Sequence, residues 1–159
     1  MPKSIIVRSR SEACVDSGKG FISTTGPSAA GEGDIKFALF IAGAGKVTRI
    51  TKFILGVDNA RRWRLLRDPT VTGNGTAQTG QNKRFAKGQS PVSILYLTPT
   101  VTADGSLLSD YWNQANVPAI IDMVDSPWIL DPGEKLLFVT SGGATQNASV
   151  TVEWDEEPT

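Results

Sequence analysis

From Asp34 onward, apolar and polar residues alternate with a period of two in several runs of this chain. Ile35, Phe37, Leu39 and Ile41 alternate with Lys36, Ala38, Phe40 and Ala42, so one face is apolar and the other nearly so. Val47–Leu55 is rich in Val, Ile, Thr and Phe, and Arg62–Arg67 sets Trp63 and Leu65 against Arg62 and Arg64. Val92–Thr98 and Leu136–Thr140 are further β-rich runs, and Val150, Val152 and Trp154 oppose Ser149, Thr151 and Glu153. Side chains on alternating sides of a pleated backbone are the signature of half-buried strands. Gly, Asn, Asp and Pro clusters at Gly43–Gly45, Asp58–Asn59, Gly73–Gly75, Gly88–Pro91, Asp104–Gly105, Asp131–Gly133 and Gly142–Gly143 punctuate the runs. Short strands at this spacing, with no long helical pattern, predict an all-β sandwich or barrel. Ser109–Val124 fits either a short helix or a long loop.

One motif occurs twice. Asp68-Pro69-Thr70-Val71-Thr72-Gly73-Asn74-Gly75-Thr76 returns as Thr98-Pro99-Thr100-Val101-Thr102-Ala103-Asp104-Gly105-Ser106. Each copy reads as a strand end with a proline, then a turn that needs positive φ at glycine. Two copies are too few for a solenoid and predict two strands with equivalent jobs, side by side or on opposing sheets. The N-terminal part has a different texture. Ser9–Gly33 is mostly Ser, Gly, Thr and Ala, with Val15, Phe21 and Ile22 as its bulky apolar residues. The reading is therefore an extended N-terminal arm over residues 1–33 and a β-sandwich over 34–159.

Charge and composition narrow the function. The 159 residues carry sixteen basic and sixteen acidic side chains, which argues against dedicated binding to nucleic acid or a membrane surface. The balance is uneven along the chain. Residues 46–87 hold ten bases and two acids, whereas 104–159 hold one base, Lys135, and ten acids. The two segments either interleave as neighbouring strands or form opposite faces suited to ring-like self-association. Histidine is absent, which excludes imidazole ligands, imidazole bases and a Ser–His triad. The single cysteine, Cys14, excludes an intrachain disulfide and fits a reducing compartment. No apolar run is long enough to span a membrane, and Met1–Arg8 lacks the apolar stretch of a signal peptide.

Motifs with chemical potential fail on inspection. Gly43-Ala44-Gly45-Lys46-Val47-Thr48 lacks the first glycine of a phosphate loop and has Val47 where a Mg²⁺-binding hydroxyl belongs, so a hairpin turn accounts for its glycines. Ser17-Gly18-Lys19-Gly20 fails in the same way. Asp122 and Asp125 lack the central glycine of a calcium loop and read as solvated loop charges. Cys14 has no histidine to activate it. Trp63 and Trp154 read as core anchors, while Trp112 and Trp128 are candidates for an exposed contact. Asn74-Gly75-Thr76 and Asn147-Ala148-Ser149 match a glycosylation pattern without other signs of secretion. The reading is of a non-enzyme without metal or cofactor.

From about Ile50 to Glu156 a series of segments follows one order. These are Leu66–Gly73, Leu95–Val101, Ile129–Thr140, and Gly142-Gly143 through Ala148–Trp154. That order resembles small structural proteins encoded with the virion genes of tailed bacteriophages, similar to capsid decoration or cement proteins. The resemblance implies a jelly-roll-like antiparallel β-sandwich, often trimeric, bound to the major capsid protein or another virion protein. It places the chain on the capsid surface after synthesis in the bacterial cytoplasm. It brings no catalytic residues. On this reading the arm binds the partner through Ile5, Ile6, Val7, Phe21 and Ile22, and the basic and acidic segments meet between subunits of a homotrimer. The alternative is a receptor- or glycan-binding module of a head or tail fibre.

Overall fold

The structure is a computed structural model that describes residues 13–15, 17–84 and 89–159. Its strands are β1 (Gly20–Thr24), β2 (Ser28–Ala30), β3 (Gly33–Ile41), β4 (Lys46–Val57) and β5 (Arg61–Arg67). Then come β6 (Thr70–Gly73), β7 (Thr76–Gln78), β8 (Gln81–Asn82), β9 (Ile94–Leu97) and β10 (Thr100–Ala103). The last are β11 (Ser106–Asn113), β12 (Ala119–Asp122), β13 (Trp128–Leu130), β14 (Lys135–Gly142) and β15 (Gln146–Pro158). One sheet has the order β12-β4-β15-β1-β8, with β13 also on β4 and β2 also on β15. The second has the order β11-β5-β14-β3-β9-β7. All these pairings are antiparallel, and the two sheets pack face to face as a sandwich.

Alternation decides which side chains fill the space between the sheets. On β4, Phe53, Leu55 and Val57 point inward; an extra residue, Thr51, shifts the parity so that Ile50 also faces the core opposite Trp154. On β3 the extra residue is Phe37, set between Ala38 paired with Phe138 and Lys36 paired with Val139, and it too is buried. Rings join the layers: Phe40 meets Trp154 edge-on at 5.1 Å, and Phe53 meets Phe138 at 5.4 Å. Trp63 and Trp154 are fully buried, as their place in alternating strands predicts.

The second apolar face of β3 also has a cause. Leu39, Leu66, Leu137 and Val139 point away from the main core and form a smaller one beneath Val71 and Val101. Those two valines belong to β6 and β10, the two copies of the repeated motif, which pair with each other as a ribbon. The equivalence extends further. β11 pairs with β5 while β7 pairs with β9, so the strand that follows each ribbon strand joins the strand that precedes the other. Asp68 and Thr98 stand before their prolines with φ of 56° and 54°, and Gly75 and Gly105 follow with 92° and 82°. Asp68 N donates to Lys135 O on β14, and Thr98 N to Phe37 O on the neighbouring β3. A local two-fold axis therefore passes between β14 and β3 and through the ribbon.

Several expectations change. The arm boundary at residue 34 is too late, because β1 and β2 are strands of the first sheet and Phe21 lies in its core against Trp154 at 5.9 Å. One bulky side chain suffices there because the long β15 supplies the hydrogen-bonding partner for β1. Ser109–Val124 is neither helix nor long loop, since β11 and β12 occupy most of it. Gly43–Gly45 does not close a hairpin; it links β3 in one sheet to β4 in the other. The basic and acidic segments interleave: Arg49 pairs with Asp155 at 3.3 Å, Lys83 with Glu153 at 2.7 Å, Arg67 with Glu134 at 3.8 Å, and Arg62 with Asp110. Neutralisation within one chain removes the electrostatic argument for these segments meeting between subunits.

Two buried charged residues act as pins. Arg61 is fully buried on β5 and donates to four neutral acceptors: Thr140 Oγ1 at 3.1 Å, Ala30 O at 3.3 Å, Ala144 O at 3.0 Å and Gly31 O at 2.9 Å. Glu156 accepts from Ser93 N at 2.7 Å, from Val92 N at 3.1 Å and from Trp154 Nε1 at 3.0 Å. Such multiply bonded groups recover in fixed dipoles what they lose in water.

Candidate interaction edge

One edge of the sandwich is apolar where an edge should be polar. Among the described residues, eight large hydrophobic side chains are exposed, and seven of them lie between residues 107 and 129. Leu107, Leu108 and Trp112 are on β11, Ile120 is on β12, Ile129 is on β13, and Val117 and Val124 are in the intervening turns. Trp112 is 74% exposed, Ile120 64% and Ile129 61%. Single exposed apolar residues are ordinary, but a concentration on one edge marks an interaction surface.

The geometry follows from three short strands. β11 pairs only with β5 among the described residues, leaving its outer backbone edge open. Leu107 opposes Leu66 and Ser109 opposes Leu65, so Leu108 is the extra residue of a bulge and turns off the regular face. On the other sheet, β12 and β13 pair with successive parts of β4, setting Ile120 opposite Ile54 and Ile129 opposite Arg49 on the outer face. Between the two sheet edges runs a groove of about 500 Å³, lined by Leu108, Trp128, Ile129, Leu130 and Leu136 with Arg67 at its rim. Trp128 packs edge-on against Phe53 at 5.5 Å, joining the groove to the core.

The acidic side chains of this edge are met by bases from neighbouring strands: Arg62 bonds Asp110, and Lys52 stands opposite Asp122. Residues 107–129 contain Asp110, Asp122 and Asp125 and no Lys or Arg. Arg62 from β5 donates through Nε to both Asp110 oxygens at 2.9 Å and lies 6.0 Å from the centre of the Trp112 ring. The Arg62 bond holds the Asp110 carboxyl below the usual carboxylate range, and Asp110 raises Arg62 in turn. Asp122 Oδ1 accepts from Val124 N at 3.1 Å, closing the turn after β12.

Other candidate residues lie elsewhere. Ile5, Ile6 and Val7 fall outside the described residues. Phe21 is not an available anchor, because it is buried in the core; Ile22 is half-buried on the outer face of β1, opposite Glu153 and Gln81. Cys14 is buried rather than held in a loose arm: the turn at 13–15 folds back over β4 and β15. Arg49 Nη2 donates to Cys14 Sγ at 3.2 Å and to Asp155 Oδ2 at 3.3 Å, while the thiol faces Glu157 Oε1 at 3.7 Å. Burial first, then the Asp155 charge, pushes the thiol pKa up, the opposite of an activated nucleophile. Among the described residues, no group of three or more potential ligands could hold a metal ion. Trp112 was visible in the sequence as a contact candidate; Leu107, Ile120 and Ile129 were not. Their signal is a run of 23 residues with apolar side chains at both parities and no basic residue. Compared with known protein families and with curated proteins, the chain finds no match in either.

Proposed function

We propose that this protein is a structural component of a tailed-bacteriophage virion, a decoration or cement protein that binds and stabilises the head lattice as a homotrimer. It works by contact alone, without catalysis, metal or cofactor, and engages protein rather than nucleic acid or membrane. The carrying observation is the concentration of seven exposed apolar side chains on the β11–β13 edge. The ribbon covers Leu39, Leu66, Leu137 and Val139 on the outer face of the second sheet, whereas Leu107 and Trp112 on β11 stay exposed, which supports the reading. The test is to locate the chain in purified particles by cryo-electron microscopy and to measure how the particles withstand heat with and without it. Regular copies on the head, with earlier capsid disruption in their absence, support the proposal; absence from particles, or a position confined to the tail, overturns it.

The alternative, a receptor- or glycan-binding module, draws on Trp112, whose exposed ring beside Arg62 offers a stacking platform for a sugar. Saturable oligosaccharide binding that disappears in Trp112→Ala would favour it.

A further inference from the structure

The two copies of the repeated motif differ at one position that carries chemistry. The second copy has Asp104 before Gly105, and Asp104 Oδ2 bonds Lys36 Nζ on β3. The first has Asn74 before Gly75, the one Asn-Gly pair in the chain. Lys135 and Phe37 correspond under the local two-fold axis, so Lys36 corresponds to Glu134. The first copy thus offers position 74 no equivalent base.

Loss of an asparagine amide needs a side chain free to turn and an open backbone nitrogen after it. Asn74 and Gly75 are both exposed, in the link between β6 and β7. Among the described residues, the Asn74 side chain has no hydrogen-bond partner and Gly75 N has no acceptor. Other asparagines are held or hindered. Asn82 Nδ2 donates to Gly18 O at 2.7 Å and Gln89 O at 3.3 Å, and Asn113 Nδ2 to Leu55 O at 2.7 Å and Val117 O at 3.2 Å. Asn59, Asn116 and Asn147 precede Ala60, Val117 and Ala148, whose Cβ atoms crowd the approach to the backbone nitrogen. Glycine has no such atom.

We propose that Asn74 is a site of spontaneous covalent modification in the folded protein. Gly75 N gives up its proton and attacks Asn74 Cγ. The new C–N bond closes a five-membered succinimide as the Cγ–Nδ2 bond breaks, and Nδ2 leaves as ammonia with the displaced proton. Water then opens the ring at either carbonyl. Breaking the Cγ–N bond yields aspartate. Breaking the bond from the main-chain carbonyl carbon yields isoaspartate, in which the chain runs through Cγ and is one carbon longer.

The longer product acts on the ribbon. Gly75 has little slack, since a Cβ there would stand 2.1 Å from Leu97 O. An extra main-chain carbon at this crossing displaces β6, whose Val71 helps cover Leu39, Leu66, Leu137 and Val139. Modification therefore loosens the cover of the second apolar core. The proposal does not depend on the assembly role.

The test keeps the full-length folded protein in mildly alkaline buffer and follows position 74 in the tryptic peptide 68–83 by mass spectrometry. Conversion is expected within about tenfold of the rate in a synthetic 68–83 peptide, as for a site that needs little local opening. It should quicken as pH rises, because the attacking nitrogen must lose its proton. Methylation by an isoaspartyl methyltransferase identifies the longer product. Asn74→Ser should abolish the conversion without unfolding the chain, because position 74 does not require positive φ. Amide exchange at Val71 and Val101 should rise in the aged wild type and not in aged Asn74→Ser. A folded chain that keeps its Asn74 amide while the free peptide converts overturns the proposal, because the crossing then locks Gly75 N out of reach. Equal conversion at Asn59 or Asn147 overturns the selectivity, and unchanged exchange at Val71 overturns the effect on the ribbon.

Discussion

Gly75 and Gly105 are equivalent under the local two-fold axis of the ribbon, and each lies against the backbone that precedes the other's strand. A Cβ on Gly75 would stand 2.1 Å from Leu97 O, and one on Gly105 would stand 2.0 Å from Arg67 O. Both residues have positive φ, at 92° and 82°. The repeat in the sequence is thus the record of a crossing made twice.

Alanine at either glycine should therefore cost more than conformational strain alone, which is about 1–3 kcal/mol. Gly45→Ala is the control: its φ is also positive, at 68°, but nothing lies within 4 Å of the added carbon. Urea unfolding should rank Gly75→Ala and Gly105→Ala together, well below Gly45→Ala. Equal losses at all three positions would mean the crossing relaxes easily.

Arg61 holds two separate pieces of backbone and the Thr140 hydroxyl with one side chain. Arg61→Met preserves much of the volume but strands Ala30 O, Gly31 O, Ala144 O and Thr140 Oγ1, so a loss of about 3 kcal/mol or more is expected. Arg61→Lys should recover little, because an ammonium cannot reproduce the planar fork. Hydrogen exchange should show the turn before β15 opening first. Full stability in the lysine variant would contradict this.

The thiol of Cys14 carries a sign that can be checked. Its pKa in the folded chain is raised above the ordinary 9.0, so the folded state holds its proton more tightly than the unfolded one. Stability from this group is intact below about pH 9 and falls as pH rises from there through the folded value. Folded protein should react slowly with a thiol reagent at pH 8, and Cys14→Ala should flatten the alkaline loss measured by urea titration. A fast reaction without unfolding would show the thiol to be accessible.

Asp110 should titrate below its ordinary value of 3.8, since Arg62 bonds to both carboxyl oxygens. Carbon-detected NMR of the carboxyl gives the titration directly. Arg62→Gln should move the midpoint upward. An unchanged midpoint would mean that the pair does not persist in solution.

Several strands were legible from the sequence: β5 and β15 lie where the alternation puts them, and β4 and β14 where the β-rich and apolar runs do. The doubly apolar pattern of β3 was legible too, and its cause is the ribbon that covers the second face of its sheet. What escaped was set by partners distant in the chain. β1 carries one large core residue, Phe21, and exists as a strand because Gly20–Thr24 pairs with Asp155–Thr151 far along the chain. β12 and β13 are four and three residues long, and the bulge at Leu108 breaks the period in β11, so no window of local sequence reveals them. The interaction edge is built from those same three strands, and for that reason it was the part least visible in advance.

The placement of β14 and β15 has a consequence for synthesis. β14 lies between β5 and β3, and β15 lies between β4 and β1, so the strand that joins the two halves of each sheet comes from residues 135–158. A nascent chain ending before Lys135 has β5 and β3 unjoined in one sheet and β4 and β1 unjoined in the other, and Phe53 lacks the Phe138 ring it packs against. Ribosome-bound chains of that length should stay protease-sensitive and seek chaperones, with the sandwich closing only after the last strands leave the exit tunnel. Premature termination would therefore yield no partly working fragment able to enter an assembly and spoil it.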